Sequence, residues 1–159
     1  MEFIELFRGA RKTRKIGARE VLFRQGDPGT EMFVLLAGSA DILIGQTIVE
    51  MARPGTILGE MALIDDETRS ATVVTRTPCH VVSLDKDDFD RLIHDQPQFA
   101  RHVLKVVVQR LRRMNQALLA SQTLDASNAA NQPAVAGTAA SAAEPGTEDP
   151  DKPGKPVHP

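Results

Sequence analysis

Between Arg19 and Asp85 the chain never runs far without a residue that bends it. Gly26, Pro28, Gly29, Gly38, Gly45, Pro54, Gly55, Gly59 and Pro78 interrupt a series of short apolar segments. Segments that short suit β-strands, and turn residues at that spacing fold each strand back on its neighbour. Val21-Leu22-Phe23 leads into the turn sequence Gln25-Gly26-Asp27-Pro28-Gly29, and Met32–Leu36 reads as a buried strand ending at Gly38. Ala40, Ile42 and Ile44 alternate with Asp41 and Leu43, and Gly45-Gln46 makes a two-residue hairpin into Thr47–Met51. Val73-Val74 and Val81-Val82, parted by Thr77-Pro78, complete the series. The pattern predicts a mainly β antiparallel barrel or jelly-roll.

From Lys86 the period becomes helical. Asp87, Asp88 and Asp90 occupy a first turn, where carboxylates favour the helix dipole, and Phe89, Leu92 and Ile93 form an apolar side. A second helix is predicted from about Gln98 to Leu119, behind Pro97. Its apolar positions Leu104, Val107 or Val108, Leu111, Met114 and Leu118 follow three-and-four spacing. That stripe reads either as a homodimer seam or as a face packed on the roll, with part of it a lid.

Composition sets the limits of the folded unit. From Gln122 to Pro159 the only large apolar residues are Leu124, Val135 and Val157, among nine alanines and six prolines. Such a segment cannot offset its ordering entropy, so 121–159 is expected to be a disordered Ala/Pro-rich tail. The tail is net acidic (Asp125, Glu144, Glu148, Asp149 and Asp151 against Lys152 and Lys155) and the body is close to neutral. The organisation read from the chain is a short basic arm or helix at 1–18, a domain at 19–120, and the tail.

Several function classes are disfavoured at this level. Aromatics are 4% of the chain, with neither Trp nor Tyr, which argues against a stacking platform for single-stranded nucleic acid. The single cysteine, Cys79, excludes an internal disulfide and a Cys-rich metal site, and reads as strand packing. Asp65-Asp66-Glu67 reads as a solvated turn rather than a metal site, and the four histidines lack ligand spacing. No nucleophile–base pair is visible, so binding is expected rather than catalysis, with no cofactor. No apolar run approaches the roughly 20 residues of a membrane span. The first residues are acidic where a signal peptide is basic, so a cytoplasmic protein is expected. The basic run Arg8, Arg11, Lys12, Arg14, Lys15 and Arg19 reads as a solvated arm, with contact to nucleic acid or an acidic partner as the alternative.

The segment from Pro54 to Thr72 carries the chemistry. It reads as a loop with one short helical turn beginning at Gly59-Glu60, and a helix start offers unpaired N–H groups to an anion. Arg69, at the entry to a strand, can fork two N–H donors onto phosphate oxygens, and Ser70 adds a hydroxyl. Glu60 cannot bind phosphate, but an ionised carboxylate accepts from a sugar hydroxyl. An anion site beside a hydroxyl acceptor describes a ribose phosphate. The bland alternative for Glu60 and Arg69 is an ion pair bracing the loop.

Gly59-Glu60-Met61-Ala62-Leu63 followed by Arg69-Ser70-Ala71-Thr72 resembles the phosphate-binding cassette of cyclic-nucleotide-binding domains, including those of bacterial cyclic-nucleotide-gated potassium channels and catabolite-activator-type regulators. The likeness covers about residues 19–115 and includes Gly26-Asp27, Met32-Phe33, Gly38 and Pro54-Gly55. It implies an antiparallel eight-stranded β-roll with flanking helices, two of them C-terminal, and a cyclic purine nucleotide (cAMP or cGMP) as ligand. By that resemblance Gly59 and Glu60 hold the ribose hydroxyl, and Arg69 holds the phosphate with backbone N–H groups near Ala62 and Ser70. Arg110 matches the position from which channel-type domains place an arginine over the purine. The output then passes to a protein effector through the last helix, the basic arm or the tail. Three departures stand out: Leu58 replaces a common Phe, the leading helical element is short, and a tail stands where regulators carry a helix-turn-helix, which counts against DNA binding. A ligand-free interaction module on the same roll, and a DNA-associated regulator without its own reading head, are the competing readings.

Overall fold

A computed structural model describes residues 3–131. A 3₁₀ turn at Phe3–Phe7 precedes eight strands: β1 (Thr13–Ile16), β2 (Val21–Phe23), β3 (Glu31–Ala37), β4 (Ala40–Ile44), β5 (Thr47–Ala52), β6 (Ile57–Leu58), β7 (Thr72–Thr75) and β8 (Cys79–Asp85). Helix α1 (Glu60–Asp65) interrupts the strands, and α2 (Lys86–Asp95) and α3 (Pro97–Ala130) follow them. The strands form two antiparallel four-stranded sheets, ordered β1-β8-β3-β6 and β2-β7-β4-β5.

The uninterrupted apolar run Met32–Leu36 has a direct structural cause: β3 is covered on both faces. Phe33 and Leu35 point between the sheets with Ile42, Leu58, Val73 and Val81. Met32 and Val34 point the other way, onto Phe7, Phe89, Phe99 and Val103 of the helical layer. β8 alternates likewise, with Cys79 and Val81 inside the roll and Val82 and Leu84 under the helices. A strand covered on both faces has no polar side to show, so period-two alternation disappears. The hairpin reads as expected, with Ile44 opposite Thr47 and Gly45 at φ +59°.

Two boundaries differ from the sequence reading. Residues 13–16, assigned to a basic arm or helix, form β1, which pairs with β8 at the sheet edge. Only Ile16 of its four residues is buried, and an edge strand tolerates exposed Arg14 and Lys15, so charge hides the strand signal. Two residues of the basic run are tied to carboxylates, Arg8 to Glu5 and Lys12 to Asp85 and Asp88. The second difference is α3, which continues past Leu119 to Ala130. Residues 120–130 contain no glycine or proline, and the first helix breaker is Pro133. Residues up to Ala120 form one compact unit, and the described residues from Ser121 lie outside it. The rest of the expected tail, from Gln132, lies outside the described residues.

The apolar side of α3 that meets the roll is not the predicted stripe. Phe99 and Val103 are buried, and Val106 packs beside them. Leu104, Val108 and Leu111 remain exposed. No helix among the described residues is long and apolar enough to cross a membrane.

Asp85 starts α2 through a capping box: its side chain accepts from the Asp88 amide, and the Asp88 carboxylate accepts from the Asp85 amide. Lys12 reaches both carboxylates at 2.6 Å and ties β1 to this cap. The Lys12 ammonium, together with the Asp88 amide, lowers the Asp85 carboxyl to about 2. A carboxyl whose folded value lies below its unfolded one stabilises the fold above the ordinary range and loses that contribution as pH falls. Asp85→Asn keeps a capping oxygen and removes the charge. The melting-temperature gap between parent and Asp85→Asn is therefore expected to be widest at neutral pH and to close between about pH 4 and pH 2; thermal melts across that range check it.

Candidate functional site

Gly59 ends β6 and turns the chain into α1 with φ +76°, a left-handed conformation that glycine adopts readily. No side chain caps the N-terminus of α1. The turn places Glu60 inside the protein at 2% exposure, with Ala62 and Leu63 buried behind it. Arg69 arrives from the loop that leads into β7. Its amide donates to the Asp27 carbonyl (2.8 Å) and its carbonyl accepts from Gly26 (2.9 Å).

These elements enclose a cavity of about 120 Å³. Apolar side chains of the second sheet, among them Ile42, Val49 and Val73, form much of its wall, with Phe23 beside them and Met114 of α3 opposite. All six residues singled out in the sequence, Gly59, Glu60, Ala62, Arg69, Ser70 and Arg110, line this one space.

Arg69 is only 6% exposed, and its environment is unusual for a buried cation. Among the described residues no carboxylate lies within ion-pairing distance of it. Its Nη1 donates to the Gly59 carbonyl (3.1 Å), and its guanidinium carbon lies 4.3 Å from the centre of the Phe23 ring. Its Nε is buried without a hydrogen-bond partner. Burial lowers the Arg69 pKa, and the more distant Glu31, Asp27 and Glu60 only partly offset this. An arginine nevertheless remains charged. An unpaired buried donor on a cation is costly to keep unless something binds there.

Glu60 is engaged by a different partner from the one the bland reading supposed. Arg110 Nη1 donates to Glu60 Oε1 at 2.6 Å, its Nε to Glu50 Oε2 at 3.0 Å, and its Nη2 to the Ile57 carbonyl at 2.8 Å. Arg113 reaches the same Glu50 oxygen at 3.2 Å. Burial works against the Arg110 charge, but Glu60 and Glu50 outweigh it and raise the guanidinium pKa. Three guanidiniums thus face two carboxylates on the cavity wall. Arg110 and Arg113 take both carboxylates, and the surplus positive charge belongs to Arg69.

Arg110 lines the cavity, and its three bonds fasten α3 to β5, β6 and α1. The Ser70 hydroxyl contacts the Met61 sulfur at 3.4 Å. Sequence reasoning missed Glu50, Arg113 and Phe23. A single carboxylate in an exposed strand and a single aromatic before a turn carry no local signal, because their partners lie 60 and 46 residues away. The buried pair yields a stability prediction. Arg110→Met leaves Glu60 buried without its cation and is expected to destabilise by about 3–5 kcal/mol. Adding Glu60→Gln should recover part of that loss, with urea denaturation of the single and double variants as the measurement.

Residues 13–96 match the family model described as the cyclic nucleotide-binding domain. The chain is 39% identical over 80 residues to human Rap guanine nucleotide exchange factor 3, covering 49% of this chain and 9% of that protein. It is 37% identical over 107 residues to a cyclic nucleotide-gated potassium channel of Mesorhizobium japonicum, covering 67% of this chain and 29% of the channel. It therefore spans less than a third of either relative. Among solved structures, the catabolite activator protein of Thermus thermophilus superposes with a TM-score of 0.65 at 25% identity, over 76% of this chain and 59% of that one. With the eight-stranded roll, its C-terminal helices and the sequence match in agreement, the chain belongs to the cyclic nucleotide-binding domain family.

Proposed function

We propose that this chain is a non-enzymatic sensor that binds a cyclic purine nucleotide, cAMP or cGMP, in the cavity between α1, β7 and α3 and signals the binding to a protein partner. The observation that carries the reading is the uncompensated charge of Arg69. A cyclic phosphodiester carries one negative charge, and the cavity wall carries one surplus positive charge, that of Arg69. Arg69 and the uncapped first turn of α1 take the phosphate, with the backbone at Ala62 and Ser70 completing the cradle. Glu60 accepts from the ribose hydroxyl beside Gly59. The purine lies on the apolar wall under Met114, in a pocket whose few polar groups converge at one end.

The route from ligand to output runs through Arg110. Glu60 serves both as hydroxyl acceptor and as anchor of α3, so a ligand that engages Glu60 alters the strength of the Arg110 clasp. Nucleotide binding then shifts the population of α3 positions, to the extent that it binds one position better than the other. Arg110 is accordingly a clasp in the arrangement described above, and release of that clasp frees it to cover the base. The exposed residues Leu104, Val108 and Leu111 make α3 the surface on which a second copy or an effector reads the change.

Calorimetric titration with cAMP and cGMP tests the assignment. Arg69→Ala is expected to lose roughly 2–5 kcal/mol of binding, about 30- to several-thousand-fold. Glu60→Gln keeps an acceptor oxygen and should lose on the order of tenfold. Parent-like binding by Arg69→Ala would remove the phosphate assignment. A parent chain that binds neither nucleotide would favour the ligand-free module.

A further inference from the structure

Two glycines of the turn before β3 are glycine for different reasons. Gly26 has φ +88° and open space where a side chain would stand, so its backbone conformation is what calls for glycine. Gly29 is the reverse case. Its φ lies outside the left-handed region, yet a Cβ there would come within 3.0 Å of the Cδ, Nε and Cζ atoms of Arg69. The space that a side chain at Gly29 would fill is already occupied by the guanidinium. The same turn holds the Arg69 backbone, through Asp27 O and Gly26 N, and Phe23 meets the guanidinium at 4.3 Å. The three atoms nearest to a Gly29 Cβ all belong to one flexible side chain, so a methyl group there would be accommodated by moving Arg69 rather than the backbone.

We infer that Gly29 is a positioning residue for Arg69: the missing side chain in the turn between β2 and β3 sets where the guanidinium stands in the cavity. This rests on the reading that Arg69 holds the ligand's phosphate. The turn thereby belongs to the binding site although it does not line the cavity. Because the guanidinium has one backbone acceptor and no carboxylate to hold it, the walls around it carry the burden of orientation.

The test is Gly29→Ala in the full chain, followed by two measurements. The first is the ¹H–¹⁵N signal of Arg69 Nε–Hε, assigned by its loss in Arg69→Lys. The second is calorimetric titration with cAMP and with cGMP. The expected result is a displaced Nε–Hε signal, a tenfold or greater loss of affinity for both nucleotides, and a melting temperature at or above that of the parent. An unmoved signal overturns the inference, as does a moved signal with parent-like affinity. If the parent binds neither nucleotide, the phosphate reading fails, and the Nε–Hε signal alone decides whether Gly29 places the guanidinium. If Gly29→Ala does not fold, Gly29→Ala with Arg69→Ala, which vacates the contested space, is expected to fold. Failure of that double variant to fold overturns the inference.

Discussion

The structure depends on a cation buried without a counter-ion. Taking a guanidinium out of water is expensive, and proteins usually recover the expense with a carboxylate at hydrogen-bond distance. Arg69 recovers little of it in this way. Its guanidinium donates to one backbone carbonyl and lies over the face of Phe23, and its Nε has no acceptor. The surrounding elements all serve this arrangement. The turn at Gly26–Gly29 grips its backbone and leaves room for its side chain, Gly59 brings a carbonyl to it, and the second sheet supplies an apolar wall.

Against that unpaired charge stands a fully paired cluster a short distance along the same wall. Arg110 uses all three guanidinium nitrogens on Glu50, Glu60 and the Ile57 carbonyl. His102, a little over two turns earlier on α3, contacts the Gly55 carbonyl at 3.2 Å and stacks on Phe3. The helix is thus held to the β5–β6 segment and to α1 by polar contacts, while Phe99 and Val103 bury its first turns in the core. The Arg110–Glu60 bond is buried, so it opens at low cost only when another donor, such as a ligand hydroxyl, takes its place on the carboxylate. A helix held firmly at one end and by replaceable bonds further along is suited to changing position when a ligand competes for one of its anchors.

Much of this was legible in the sequence, and the exceptions share a cause. The roll was visible because turn residues act locally: Gly45-Gln46 makes its hairpin whatever lies elsewhere. The meeting of Gly59, Glu60, Ala62, Arg69 and Ser70 on one cavity was visible because they are close in sequence. β1 was hidden because an edge strand buries one side chain and shows charges, which reads as a solvated arm. The end of α3 carries no apolar signal, because low apolar content resembles loss of structure, although alanine-rich sequence without a breaker continues a helix. The apolar stripe of α3 was real, but Phe99 and Val103, offset from it, are the side chains that face the roll.

The strands from β2 to β5, β7 and β8 with their turns, the switch to helices at Lys86, and the set of residues able to meet an anion and a hydroxyl were determined by the amino-acid sequence alone, since each rests on the chemistry of neighbouring residues. Which carboxylate pairs with which arginine was decided only by the tertiary structure. Glu60 lies nine residues from Arg69 and fifty from Arg110, yet it pairs with the distant one. The reason is geometric: α1 turns Glu60 toward α3, while Gly29 and Phe23 close around the guanidinium of Arg69. Electrostatic attraction depends on distance in space, and that distance exists only once the roll has closed.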